Sequence, residues 1–196
     1  MGQRRQAVTE VRNPSGHHRK KELQEQIREI SIRDSLTGVF NRCYVFERME
    51  EVRSEYIRRG RAFCVCVLDL DFFKNVNDRH GHQAGDFLLK EFTTLISTGI
   101  RPYDILGRYG GEEFIIISLD AKMANTTAMM ERLMIMVRSH VFIFNGKELN
   151  CTFSCGIAES SEFPPGTVTI EKLVGSADLR LYIAKHTGRD RWVSHD

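Results

Sequence analysis

Residues 62–71 read Ala-Phe-Cys-Val-Cys-Val-Leu-Asp-Leu-Asp, a nearly unbroken apolar run that closes on two carboxylates. An apolar run of this length without polar alternation predicts a strand buried on both faces. Asp69 and Asp71 then stand at its C-terminal end. Along a strand, residues 69 and 71 share one face and residue 70 takes the other. Two carboxylates on a buried strand need partners. They either hold a cation or cap the helix that follows.

The next strand-like runs are 105–109 and 112–119, separated by Gly110-Gly111. A Gly-Gly link between apolar runs predicts a two-residue hairpin turn, because primed turns require positive φ. If that hairpin pairs beside the first strand, Glu112 and Glu113 converge on its aspartates. Such clustered oxygens suit magnesium, which takes carboxylates and leaves room for phosphate and water. The alternative is that both glutamates are solvated turn residues.

Around these runs the chain alternates between helical and extended patterns. Val45, Met49, Val52 and Tyr56 mark one face of a helix from Asn41 to about Arg59, stopped by Gly60. Ala84, Leu88, Phe92, Leu95 and Ile96 mark the next, after a short mixed stretch at 72–79. Residues 122–139 predict a Met-rich helix, and residues 169–187 another, closed by Gly188. Residues 141–144 and 149–158 read as a second strand pair joined around Asn145-Gly146, and 191–193 as a last short strand. The order predicts an α/β (α+β) sandwich with a mixed central sheet flanked by helices, since hairpins force antiparallel neighbours beside any crossover strand.

Upstream, residues 1–18 are polar and read as a mobile N-terminal tail. Residues 19–33 carry Leu23, Ile27 and Ile30 on one stripe and read as a helical stalk or linker, leaving 34–196 as the main domain. The whole chain has 196 residues and a formal net charge of +2. Residues 1–33 hold eight Lys/Arg against four Asp/Glu, which leaves 20 basic and 22 acidic residues in the main domain. That balance argues against nucleic-acid binding. No apolar run approaches the roughly 20 residues of a membrane span, and none near Met1 resembles a secretory signal core. A soluble, intracellular protein is expected. Cys43, Cys64, Cys66, Cys151 and Cys155 form no CxxC pair and read as reduced thiols rather than a zinc site.

Two further pairs bear on chemistry. Asn77 and Asp86 lie nine residues apart near a helix start. An amide and a carboxylate so placed either read a purine edge or cap locally. Lys185 and Arg189 flank the end of the last long helix. They either complement its dipole or hold a polyphosphate.

Together these segments resemble the GGDEF family of diguanylate cyclases, in a GGEEF form. The signature is Arg108-Tyr109-Gly110-Gly111-Glu112-Glu113-Phe114. Asp34-Ser35-Leu36-Thr37-Gly38 with Asn41-Arg42 resembles the family's opening motif. Asp69 to Asp78, followed by Gly81-His82 and Gly85-Asp86, resembles its first strand and base-binding segment. Thr152 to Ala158 resembles a later strand, and Ala177-Asp178, Leu181-Tyr182, Ala184-Lys185 and Gly188-Arg189 its closing helix.

The resemblance implies a core like the palm of nucleotidyl cyclases and polymerases. It implies an enzyme that condenses two GTP into cyclic di-GMP and two pyrophosphates, with Mg²⁺ as cofactor and Mn²⁺ as an alternative. By the same resemblance Asp69 and Glu112 hold the metal with the Leu70 carbonyl, and Glu113 assists at a second ion. Glu112 is a candidate base. Asn77 and Asp86 read guanine, walled by Leu36 and Leu89. Phe72 and Phe73 offer backbone N–H groups to phosphates that Lys74, Lys185 and Arg189 neutralise. Gly110 and Gly111 leave space for the nucleotide. A homodimer is the expected catalytic unit, in the bacterial cytoplasm and downstream of a sensor domain outside this chain. Arg101 and Asp104 resemble a product-inhibition site, completed by Arg132 from the neighbouring protomer. Two rivals remain: a catalytically inactive sensor of cyclic di-GMP, and a palm acting on nucleic acid.

Overall fold

The computed structural model describes Arg19 and residues 28–195. The chain divides into two compact units, 1–32 and 33–196. In the first, residues 28–32 are helical. The expected tail at 1–18 and most of the expected stalk lie outside the described residues.

The second unit is built on the apolar run at 64–70. It forms β1 (Cys64–Leu70), buried along its whole length. Beside it lie β2 (Ile105–Arg108), β3 (Glu113–Ser118), β6 (Phe153–Glu159) and β7 (Trp192–Val193), in the order β2-β3-β1-β6-β7. All neighbours are antiparallel except β6 and β7. The mixed central sheet is therefore present as expected. A separate hairpin joins β4 (Phe142–Phe144) to β5 (Lys147–Leu149).

Five helices cover the sheet: α1 (Arg42–Arg59), α2 (Phe73–His80), α3 (His82–Gly99), α4 (Met123–Ser139) and α5 (Ile170–His186). Cys64, Cys66 and Leu68 face a core shared with α3 and α4, whereas Val65 and Val67 face one shared with α1 and α5. Such layers on both faces explain why β1 has no polar alternation. Phe92 of α3 meets Phe114 of β3 and Phe153 of β6 at centroid distances of 5.4 and 5.5 Å. Truncating one such fully buried ring to alanine costs about 3–5 kcal/mol.

The caps follow from the sequence. Asn41 accepts from the Tyr44 N–H at 3.0 Å to start α1, and Gly60, at φ 69, ends it. Thr169 accepts from the Lys172 N–H at 3.2 Å to start α5.

Three local expectations are corrected. The mixed stretch at 72–79 contains a helix, α2, whose Phe73 and Val76 are its only buried residues. Two buried positions in eight residues give too little periodicity to read. The expected strand at 149–158 is two strands in two sheets, because Asn150-Cys151-Thr152 interrupts it. The Gly110-Gly111 turn is not a primed two-residue turn. Its register pairs Arg108 with Phe114, the reversal occupies 109–112, and neither glycine has positive φ.

Candidate active site

The end of β1 places Asp69 opposite Glu113 of β3 on one side and Ser154 of β6 on the other. Glu112, at the exit of the 109–112 loop, is tied to the same strand end by its carbonyl, which accepts from the Leu70 N–H at 3.3 Å. Asp69 is 5% exposed. Lys185 reaches across from α5 and sets its ammonium 2.6 Å from Asp69 Oδ2.

Burial pushes the Asp69 carboxyl above its ordinary range, and the neighbouring Glu113 and Asp71 charges add to that against the pull of Lys185. Burial, followed by the Asp69 charge, likewise raises Glu112. The acids therefore feel one another, as the sequence pattern requires. Among the described residues no three His, Cys, Asp or Glu side chains form a ready ligand cluster. The groups whose charges act on one another there, Asp69, Glu112 and Glu113, are carboxylates, which are hard oxygen donors. A buried carboxylate that already draws a cationic side chain to 2.6 Å suits a small divalent ion.

Asp71 shares the face of Asp69, as expected: Ser154, which pairs opposite Asp69, donates to its carboxylate. The Asp71 charge adds to the rise at Asp69, but its side chain does not cap α2. Its carboxylate accepts from Thr152 Oγ1 at 2.9 Å, Ser154 Oγ at 2.7 Å and the Asp190 N–H at 3.0 Å.

The loop carrying the glycines is shaped from outside. The Arg108 guanidinium donates from Nε to the Gly110 and Gly111 carbonyls at 3.2 and 3.1 Å and from Nη2 to Gly111 at 2.7 Å. Its Nη1 meets both Asp34 oxygens at 3.1 and 3.3 Å. Asp34 also accepts from the Thr37 N–H and hydroxyl. Burial pushes Asp34 upward, but the Thr37 and Arg108 bonds outweigh it and hold the carboxyl below its ordinary value. A Cβ at Gly110 would meet Glu113 Oε2 at 2.5 Å, a flexible neighbour. At Gly111 a Cβ would meet nothing within 4 Å.

On the far side of the strand end, α2 and α3 bring Asn77 and Asp86 together. A Cβ on Gly85 would lie 2.0 Å from Asn77 Oδ1, so Asn77 lies against that glycine, next to the exposed Asp86. Leu36 packs against the core cluster that contains Leu89. Phe73 is buried, whereas Phe72 is 58% exposed and adopts φ 57. The Arg189 guanidinium lies 4.6 Å from the Phe72 ring centroid. Lys74 is exposed on the first turn of α2.

Residues 31–191 match the family model described as "Diguanylate cyclase, GGDEF domain". The chain belongs to the GGDEF diguanylate cyclase family. Response regulator PleD of Caulobacter vibrioides is 34% identical over 167 residues, covering 84% of this chain and 36% of PleD. Diguanylate cyclase DgcS of Shewanella oneidensis is 36% identical over 168 residues, covering 84% of this chain and 54% of DgcS. The chain thus spans about a third and about half of these two relatives. Among solved structures, the coiled coil and GGDEF domain of DgcB from Caulobacter crescentus, in complex with c-di-GMP, superposes with a TM-score of 0.85 at 28% identity. That match covers 92% of this chain and 94% of the DgcB chain.

This GGDEF domain carries a second polar cavity at the other end of β3. Arg101, Asp104 and Arg132 line about 270 Å³ beside the start of α4, all from one chain. The carboxylate of Asp104, 9% exposed, accepts from the Leu119 and Arg101 N–H groups at 3.1 and 3.2 Å. Burial raises its carboxyl despite those bonds. Arg132 Nη2 donates to the Gly99 carbonyl at 2.6 Å.

Three residues were quoted in the sequence reading only as motif members, without a role: Arg108, Asp34 as its counter-ion, and Asp178. Asp178 lines a cavity of about 420 Å³ with Glu113 and Lys185. Its seven-residue spacing from Lys185, two helical turns, was the available signal.

Proposed function

We propose that this domain is a magnesium-dependent diguanylate cyclase that joins two GTP into cyclic di-GMP and releases two pyrophosphates. The observation that carries the reading is the meeting of Asp69, Glu113 and Lys185 at the end of β1, with Glu112 anchored to the same backbone.

Asp69 and Glu112, with the Leu70 carbonyl, would hold Mg²⁺ or Mn²⁺, and Glu113 would assist a second ion. When bound, the metal polarises the α-phosphate and lowers the pKa of the attacking 3′-hydroxyl. Glu112 accepts the hydroxyl proton. Asn77 and Asp86 orient guanine by hydrogen bonds to its edge, between Leu36 and Leu89. Lys74, Lys185 and Arg189 neutralise the β- and γ-phosphates, and the Phe72 and Phe73 N–H groups contact them. Gly110 and Gly111 keep the loop clear of the nucleotide. One domain holds one GTP, so two domains must face each other as a homodimer. The substrate places the reaction in the cytoplasm, and an upstream sensor sets its rate.

Purified protein with GTP and Mg²⁺, resolved by chromatography and mass spectrometry over a range of protein concentrations, tests the reading. Cyclic di-GMP should form at a rate rising faster than linearly with protein, and chelation should stop it. A protein that binds cyclic di-GMP but releases no pyrophosphate would be the sensor instead. The intact acids at 69, 112 and 113 favour the enzyme.

The cavity of Arg101, Asp104 and Arg132 is the proposed site of product feedback. Arg101→Ala should raise the cyclic di-GMP concentration for half-inhibition about tenfold, the loss of one charge-assisted contact. Unchanged inhibition across a titration would assign those residues to structure alone.

A further inference from the structure

Three non-glycine residues near the candidate phosphate end adopt left-handed backbone: Phe72 at φ 57, Arg189 at φ 61 and Asp190 at φ 48. Such conformations persist where the surroundings over-determine them, and they cluster at functional sites. Phe72 and Asp190 adjoin one buried side chain, and Arg189 directly precedes Asp190. Asp71 precedes Phe72 in the chain, and its Oδ2 accepts from the Asp190 N–H at 3.0 Å. Thr152 and Ser154 hold the same carboxylate from β6 and its approach, and the Asp71 N–H donates to the Thr152 carbonyl at 2.9 Å. Asp71 is 6% exposed. From the outside, Arg138 of α4 grips Asp190, with Nε at 3.0 and 2.8 Å from its carboxylate and Nη2 at 2.9 Å from its carbonyl.

We propose that Asp71 is a positioning residue for the triphosphate end of the site, acting through Phe72 and Arg189. Covalent linkage fixes Phe72, and the hydrogen bond to Asp190 fixes the loop from which Arg189 projects. The two halves meet where the Arg189 guanidinium lies over the Phe72 ring. A carboxylate suits the task because it only accepts, and all three donors around it need an acceptor. The Thr152 and Ser154 hydroxyls could rotate away if it were lost, but the Asp190 N–H could not. Without Asp71 the Arg189 loop would relax from its left-handed geometry, and the guanidinium would leave the phosphates. The inference rests on the reading that Arg189 meets GTP phosphates.

The test separates phosphate binding from base binding. Calorimetric affinities would be measured for GMP and for GTP carrying a methylene bridge between the α- and β-phosphorus. Wild type should prefer the triphosphate. Asp71→Ala should weaken the triphosphate analogue about tenfold while GMP stays within about twofold, since only the charged contacts are lost. Arg138→Met, which cuts an exposed pair and leaves the core alone, should shift the analogue in the same direction by about threefold. That variant decides the matter if Asp71→Ala does not fold. Equal weakening of both ligands would reduce Asp71 to a structural residue and overturn the proposal. A wild-type preference retained in both variants would also overturn it while leaving the phosphate reading intact. A wild type with no preference would overturn the phosphate reading and this inference with it.

Discussion

The β4–β5 hairpin reverses at Asn145-Gly146 with φ 51 and 76, whereas the β2–β3 hairpin spreads its reversal over 109–112 and keeps Gly110 and Gly111 out of the left-handed region. Both turns contain glycine, but for different physical reasons. At Gly146 the backbone needs a conformation that side chains resist. At Gly111 the backbone is ordinary and the glycine leaves open space beside the carboxylates. The first hairpin's shape comes from its own dihedrals. The second hairpin's loop is held by Arg108, which is held in turn by Asp34. A turn shaped by its own backbone serves the fold, whereas a turn shaped by a distant ion pair is free to present its residues to a ligand.

Substitutions in the two hairpins should therefore separate activity from stability. The largest effect belongs to Glu112→Gln, which should lower cyclase turnover roughly a thousandfold, the scale for losing a group that stabilises transition-state charge. Its thermal midpoint should match wild type. Full activity would remove the loop from the catalytic machinery. Gly111→Ala should fold normally, because its Cβ meets nothing, yet lose about a hundredfold in turnover as the methyl displaces the nucleotide. Wild-type rates in that variant would show that the open space is not the substrate's.

A smaller effect tests the buttress. The folded carboxyl of Asp34 is held below its ordinary value, so its bond to Arg108 contributes fully above the unfolded carboxylate range. That contribution is lost as pH falls through the lowered folded value. Asp34→Asn should cost about 1–2 kcal/mol in denaturant unfolding at pH 6. The gap to wild type should narrow steadily as pH falls below the ordinary carboxylate range. A gap that persists in acid would mean that the charge is idle. Gly146→Ala should be the mildest change, costing about 1 kcal/mol of stability for left-handed alanine and leaving turnover unchanged. A loss of activity there would erase the contrast between the hairpins.

What could be read from the chain follows sequence distance. Asp69, Glu112 and Glu113 sit in short contiguous motifs, and β1 announces itself by seven residues buried without interruption. The role of Asp71 was illegible because its decisive donor, the Asp190 N–H, lies 119 residues away. The Arg108–Asp34 pair spans 74 residues and leaves no local pattern. The α2 helix hid behind a left-handed Phe72 that supplies no side-chain cap. The break between β5 and β6 hid because Asn150-Cys151-Thr152 lacks glycine and proline, the usual punctuation. The hairpin glycines were legible as a turn, but not as a turn with ordinary dihedrals, since sequence does not reveal which demand a glycine meets.

The position of β1 at the centre of the sheet has a consequence for the newborn chain. Both of its neighbours, β3 and β6, are downstream, beginning at Glu113 and Phe153. At roughly 5–20 residues per second, translation reaches the last of them several seconds after Cys64–Leu70 has been made. During that interval a strand that is buried along its whole length in the finished fold has at least one unpaired edge, which invites association with other unfinished chains. Ribosomal pausing between residues 70 and 159 should therefore lower the yield of folded protein more than pausing anywhere later.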